Sequence, residues 1–325
     1  MPAPSLLIGD IGGTNARFAL ANSQKPGFHD ELTLACADYP TAGEAIAEYL
    51  GRVGAKSPRV ICFAAAGPIV DGRVRFTNNH WSLATDELAA DFGSESVRLL
   101  NDFEAIAYSI PFLAPGDCVA AGILPLPEFG EDDFNVAIVG PGTGLGAAGL
   151  LRRDGRLYPV VGEGGHLGFA PESQLQMRLL AALREKFERV SDERLVSGPG
   201  LENLYAALVA LHGEKGAPAS AKEIFARAAD NSDTRAAEAL QHFYEILGQV
   251  AGDLALALGA ADGVYIAGGI VKRNPDLLAN SRFRSGFENK GRHRSLMERI
   301  PTQVIMHPEP GLLGASYVAL TMFRG

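Results

Sequence analysis

The chain has 325 residues, is 47% hydrophobic and 21% charged, and carries a formal net charge of −9. That length suits two domains with buried cores, and the acidic balance argues against nucleic acid, which needs a basic face. No stretch approaches the about 18 uncharged apolar residues of a membrane span, and the three cysteines have neither zinc-ligand spacing nor the makings of a disulfide framework.

The N-terminus, "MPAPSLLIGD", has no basic n-region and enters a strand almost at once, which reads as a cytoplasmic protein without an export signal. "LLIGDIGGTNARFAL", Leu6 to Leu20, is an apolar strand, a glycine turn carrying Gly13-Thr14, and a second strand alternating through Ala16, Phe18 and Leu20. "TAGEAIAEYLGRVG" reads as a helix opened by a capping box of Thr41 and Glu44. In "RLLNDFEA" an apolar strand, Val97 to Leu100, gives way to a helical pattern at Asp102, a residue type that suits either a helix N-cap or a general base. Pro111 and Pro115 then mark a domain boundary.

The stretch "VAIVGPGTGLGAAGLL", Val136 to Leu151, contains the spacing G-x-G-x-x-G of a dinucleotide-binding turn. That fingerprint needs a helix after the glycines, because the pyrophosphate sits on the helix N-terminus. Here Asp154-Gly155 follows between two apolar runs, so the chain turns as a hairpin and the dehydrogenase reading fails. Gly142-Thr143 repeats the Gly-Thr of the first turn, and the two hairpins suggest a duplicated core. Glycine lets backbone N–H groups approach a phosphate closely, and successive amides form an anion nest to which threonine adds a hydroxyl. Two tight hairpins that merely need glycine are the plainer alternative.

"GEGGHLGF" supplies Glu163 and His166, flanked by glycines as in a binding loop; two such ligands with no third nearby are weak grounds for a metal site. Glu193, in "SDERLVSGPG", by itself reads as a solvated charge before a Gly-Pro turn. Helical patterns follow around "LQMRLLAALREKF", "LENLYAALVAL" and "AKEIFARAAD". In "TRAAEALQHFYEILGQVAGDLALALG" one face carries Leu240, Phe243, Tyr244 and Leu247, the spacing of a helix packed on a core. Gly248 and Gly252 would each cost about 1 kcal/mol there, which points to a close neighbour, either another element or a flat ligand. The strand "GVYIA" ends in Gly268-Gly269, and "GLLGASYVALTMF" closes the chain as a helix.

Taken together, "GDIGGTNARFAL", "LLNDFEAIAYSI", "GPGTGLGAA", "VGEGGHLGFAP", "ERLVSGPGLENLY" and "YIAGGIV", in this order, resemble the bacterial glucokinases of the hexokinase–actin–Hsp70 superfamily over essentially the whole chain. The cysteine-rich zinc motif of the related repressor and sugar-kinase branch does not occur, so the resemblance is to the zinc-free group. It implies an α/β, two-domain actin-like ATPase (ribonuclease H-like) fold with a duplicated core and an interdomain cleft. The small domain would take residues 1–111 and 308–325 and the large one 112–307, with closure on sugar excluding water. The implied activity is ATP- and Mg²⁺-dependent phosphorylation of glucose to glucose 6-phosphate at the entry to glycolysis, by a homodimer. A kinase for another hexose and a non-catalytic sugar sensor are the alternatives.

By the same resemblance Asp102 is the catalytic base for the sugar 6-hydroxyl, and Asn101, Glu163, His166 and Glu193 bind the sugar with Asp102. Asn78, in "FTNNHW", joins them, with Asn79 as the alternative. Asp10 organises Mg²⁺ through water. Gly12, Gly13, Thr14 and Asn15 meet the phosphates of ATP from one side, and Gly142, Thr143 and Gly144 from the other, while Gly268 and Gly269 pass the adenosine. No Walker A lysine motif occurs.

Overall fold

The computed structural model describes residues 5–76, 79–214 and 217–324. In chain order the first half runs β1 (Leu6–Ile11), β2 (Asn15–Ala21), β3 (Phe28–Ala35), α1 (Ala42–Arg52) and β4 (Val60–Ala65). A small sheet of β5 (Ile69–Val70), β6 (Arg73–Arg75) and β7 (Ser82–Ala84) follows, then α2 (Thr85–Phe92), β8 (Ser96–Asn101) and α3 (Asp102–Ser109). The second half starts with β9 (Cys118–Ala120), β10 (Phe134–Pro141), β11 (Leu145–Arg153) and β12 (Arg156–Gly162). Next come α4 (Gln174–Arg184), α5 (Gly198–Leu211), α6 (Ala221–Ala229) and α7 (Thr234–Leu258). After β13 (Gly263–Ile266) stand the short α8 (Gly269–Lys272), α9 (Pro275–Ala279), α10 (Phe283–Glu288) and α11 (Arg294–Met297), then β14 (Thr302–Ile305) and the final helix α12 (Pro310–Arg324). Backbone proximity divides the chain into two units: residues up to Ala114 with those from His307 onward, and Pro115–Met306.

Each unit is built on a mixed sheet of one plan. In the first, the order is β3-β2-β1-β4-β8; β1 pairs antiparallel with β2 and parallel with β4, and β4 parallel with β8. In the second, the order is β12-β11-β10-β13-β14-β9; β10 pairs antiparallel with β11 and parallel with β13, and β13 parallel with β14. The shared order, with β9 added at one edge, bears out the duplicated core expected from the two Gly-Thr hairpins. The Asp154-Gly155 hairpin is also present, between β11 and β12. The central strands read as continuous apolar runs because neighbours cover both edges and helices cover the faces, leaving no polar face to alternate with.

The first unit's core centres on Phe18, with the rings of Tyr49 and Phe63 at 5.6 and 5.7 Å. Helix α12 belongs to this unit and lies so close to α3 that a Cβ on Gly314 would stand 1.7 Å from the carbonyl oxygen of Ala105. In the second unit α7 is the central helix, with Leu240, Phe243, Tyr244 and Leu247 all buried. The alternatives left open for its glycines resolve to another element. A Cβ on Gly248 would meet the Phe283 carbonyl oxygen at 2.0 Å, one on Gly252 the Phe287 oxygen at 2.7 Å, and Gly286 of α10 is equally tight against Glu245. The two backbones therefore touch, and glycine is the residue that permits it.

The expected capping box of α1 is half formed. Thr41 Oγ1 accepts the Glu44 N–H at 3.2 Å, but the Glu44 carboxylate takes the Thr41 hydroxyl instead of its backbone N–H. The complete box stands at α6, where Ser220 and Glu223 bond reciprocally.

Candidate active site

The first unit presents a carboxylate pair beside a glycine turn. β1 delivers Asp10 to its C-terminal end, half-buried, with the Arg17–Glu309 ion pair close by at 3.1 Å. Burial pushes the Asp10 carboxyl up to about 7, and the negative charges of Asp102 and Glu309 add to the rise while Arg17 opposes it. Gly311, at the start of α12, comes so near that a Cβ there would lie 3.1 Å from Asp10 Oδ2. No sequence signal marked Glu309 or Gly311, because the final helix meets β1 only through the tertiary fold.

In the turn after β1, the Gly12 N–H closes on the Asn15 carbonyl at 3.0 Å. Gly13 is half-buried and Thr14 exposed. Asn79 braces this turn: its Nδ2 donates to the Gly12 carbonyl at 3.3 Å, and its Oδ1 accepts the Trp81 N–H at 3.0 Å. Both ends of the Asn79 amide are thus engaged by backbone; Asn78 lies outside the described residues.

The helix-capping alternative for Asp102 does not hold. The N-cap of α3 is Asn101, whose Oδ1 accepts the Phe103 N–H at 2.9 Å, and Asp102 is the first helical residue. Its own Oδ1 also lies 2.9 Å from that N–H, but Asn101 already satisfies the donor. Asp102 therefore sits half-buried at a helix N-terminus without being needed to cap it.

The second unit gathers its residues around Leu145, the first residue of β11. The Leu145 N–H donates to Glu193 Oε2 at 3.0 Å. On its carbonyl side Gly165 presses so closely that a Cβ would fall 2.0 Å from Leu145 O, and Gly164 lies similarly against Ala147. This contact docks the 3-10 turn Gly164–His166 on β11 and places Glu163 and His166, both exposed, beside the Glu193 segment. Glu193 itself is half-buried within the 3-10 turn Asp192–Arg194, not a solvated surface charge. Ser197, the N-cap of α5, donates to the Glu193 carbonyl at 2.8 Å and fixes the same turn from the other side.

The turn between β10 and β11 closes with the Gly142 N–H on the Gly144 carbonyl at 2.8 Å, and the Gly198 N–H at the start of α5 donates to the Gly142 carbonyl at 2.9 Å. Thr143 is exposed at its tip. A Cβ on Gly144 would stand 2.5 Å from Glu193 Oε2, so the phosphate-type turn and the expected sugar glutamate share one contact. Gly268, in the left-handed region at φ 95°, passes the Pro141 carbonyl with room for no side chain, and Gly269 opens α8. Among the described residues no group of three His, Cys, Asp or Glu is placed to hold a metal ion, and no helix is long and apolar enough to cross a membrane.

Comparison with solved structures defines the class. The chain superposes on the crystal structure of a glucokinase from an Antarctic psychrotroph with a TM-score of 0.89, at 34% identity and 99% coverage of both chains. It also superposes on a glucokinase of Balamuthia mandrillaris in complex with glucose (TM-score 0.77, 24% identity, 99% and 94% coverage). A ROK family glucokinase of Streptomyces griseus in complex with glucose and AMPPNP shares the fold at a TM-score of 0.61, 21% identity and 98% and 99% coverage. The architecture is that of a two-domain sugar kinase with the actin-like ATPase fold. Within that class the chain belongs to the glucokinase family: the family's sequence model, described as Glucokinase, matches residues 7–322. A glucokinase of Caulobacter sp. (strain K31) is 46% identical over 317 residues, 97% of this chain and 94% of the relative. One of Xylella fastidiosa (strain M12) is 41% identical over 324 residues, 98% and 96%.

Proposed function

We propose that this chain phosphorylates glucose at the 6-hydroxyl with ATP, and that Asp102 is the base that takes the hydroxyl proton. The observation that carries the assignment is the position of Asp102. It is a half-buried carboxylate at the N-terminus of α3, whose capping role is already filled by Asn101, in the unit that also holds Asp10 and the first glycine turn. Phosphoryl transfer asks for positioning and charge stabilisation more than for covalent help, and a positioned carboxylate can take the hydroxyl proton.

The sugar-binding roles that the resemblance gives to Asn101, Asp102, Glu163, His166 and Glu193 are part of this proposal. Carboxylates held by the backbone discriminate strongly, since a missing hydroxyl leaves a charge without its partner. The described geometry supports Glu193 best, because its carboxylate is fixed by the Leu145 N–H. Gly12 and Gly142 spend their N–H groups on closing their turns, so the phosphates of ATP meet the turns through Gly13, Thr14 and Asn15 and through Thr143 and Gly144. Asn78 is kept as a sugar contact, since Asn79 is committed to the turn. Gly268 and Gly269 pass the adenosine.

Mg²⁺ fits Asp10. The ion keeps several waters and takes one or two carboxylates together with substrate phosphates, so a single half-buried carboxylate at the phosphate turn suits it, and no cage of protein ligands is required. Bound there, it would neutralise charge on the phosphates. The resemblance of the motifs also supports a cytoplasmic homodimer, which sizing of the purified protein tests.

The test is phosphorylation of a panel of hexoses with ATP and Mg²⁺, wild type beside Asp102→Asn. Turnover of glucose that falls about 10²- to 10⁴-fold in the variant, with sugar binding retained, is the expected result. Turnover kept within threefold would remove Asp102 from the role of base, and binding of sugar without turnover in the wild type would make the chain a sensor.

A further inference from the structure

Behind the two loops that carry Glu163, His166 and Glu193 lies a small, mostly apolar cavity of about 90 Å³, whose polar lining residues are Asp192, Gln249 and Asp253. Asp192 is 8% exposed and Gln249 5%. Among the described residues the Gln249 Oε1 has no hydrogen-bond partner, and neither has Nε2 of Gln176, the residue whose Oε1 accepts from Gln249. Buried polar atoms are nearly always satisfied, so these unmatched amide atoms, with the buried Asp192 side chain lining the same cavity as Gln249, mark a polar cluster behind the Glu193 turn. Asp192 also joins the two loops through its backbone: its N–H donates to the Leu167 carbonyl at 2.9 Å, next to the bridge pairing Gly168 with Ser191.

We propose that Asp192 is a positioning residue for the sugar site: its buried side chain, lining one cavity with Gln249 and Asp253 of α7, seats the Asp192–Arg194 turn and thereby the carboxylate of Glu193. The inference rests on the reading that Glu193 contacts the sugar. The charged groups around the carboxyl come from each packed element. Asp253 on α7 repels its ionised form, while Arg189, from the preceding segment, and Lys290, after α10, attract it. Lys290 is held between Asp253 at 2.8 Å and Glu172 at 3.0 Å, and Arg189 donates to the His166 carbonyl at 2.7 Å, so each cation already has a partner. On its own turn the Glu193 carboxylate is occupied by Leu145.

Burial and Asp253 together push the Asp192 carboxyl up to about 7. The neutral acid packs against α7 without charge, whereas the ionised form adds a second negative charge near Asp253 and loosens the turn from α7. Glucose binding therefore weakens as pH rises through about 7, and Asp192→Asn, which keeps the shape of the neutral acid but does not titrate, removes that weakening.

The experiment measures kcat, the KM for glucose and the KM for ATP of wild type, Asp192→Asn and Asp192→Ala between pH 5.5 and 8.5, with circular dichroism confirming the fold. Expected are a glucose KM raised about 10-fold or more in Asp192→Ala at every pH, kcat within about threefold, and an unchanged KM for ATP. Asp192→Asn should match the low-pH wild type and show a flatter pH profile. A folded Asp192→Ala with a wild-type glucose KM would overturn the proposal. So would an Asp192→Asn profile that follows the wild type, which stays decisive should the alanine variant not fold. Absence of glucose turnover in the wild type is a separate result: it overturns the sugar-kinase reading and the positioning role with it.

Discussion

Replacing Gly144 by alanine tests whether the phosphate turn and the sugar glutamate are one mechanical unit. Gly144 is not in the left-handed region, so alanine brings no backbone strain and by itself would stabilise by roughly 0.4–1 kcal/mol through the unfolded chain. The new Cβ would lie 2.5 Å from Glu193 Oε2 and 3.4 Å from its Cδ. Carbon and oxygen do not approach that closely, so the end of the Glu193 side chain must swing away and give up the Leu145 N–H it holds at 3.0 Å. A hydrogen bond to a charged group contributes roughly 1.5–3 kcal/mol. At about 1.4 kcal/mol per factor of ten, losing the position that this bond fixes raises the glucose KM by about 10- to 100-fold. Most of the effect should vanish in a Glu193→Ala background, because the displaced group is no longer there. The assay is the two-mutation cycle on glucose KM, with thermal unfolding followed in parallel. A Gly144→Ala enzyme with wild-type glucose KM, or an equal cost with and without Glu193, would refute the reasoning.

The contact of α7 with α10 makes Gly248→Ala strongly destabilising despite alanine's better helix propensity. A Cβ 2.0 Å from a carbonyl oxygen forces a backbone shift that costs about 1–3 kcal/mol or more, read from chemical denaturation; a more stable variant would show that the helices are not in backbone contact. Asp10 and Asp192, both raised to about 7, hold protons more tightly in the folded chain than in the unfolded one, where a free aspartate titrates near 3.9. Stability without ligands therefore falls as pH rises from about 4 to 7, by up to about 1.4 kcal/mol per pH unit for each group, and Asp10→Asn with Asp192→Asn flattens that slope in denaturant titrations. Ser220→Ala, which removes the reciprocal cap of α6, should lower stability by about 1 kcal/mol with kinetic constants unchanged.

What the amino-acid sequence by itself determined is whatever local chemistry writes into a few adjacent residues. Apolar runs, Gly-Thr turns and the Asp154-Gly155 hairpin specified the strands and the duplication, because turn conformation and side-chain period are set within a handful of residues. The ordered motif blocks singled out Asp10, Asp102, Glu163, His166 and Glu193 as candidates. Only the tertiary structure decided how those residues are held. That Asn101 rather than Asp102 caps α3 is seen only in the folded chain. The hold of Glu193 on the Leu145 N–H joins segments far apart in the chain, and so does the backing of its turn by Asp192, Gln249 and Asp253. The glycines of α7 announced a close neighbour, but α10 could be named only once the two backbones were side by side, since steric exclusion between distant segments leaves no periodicity to read in either one.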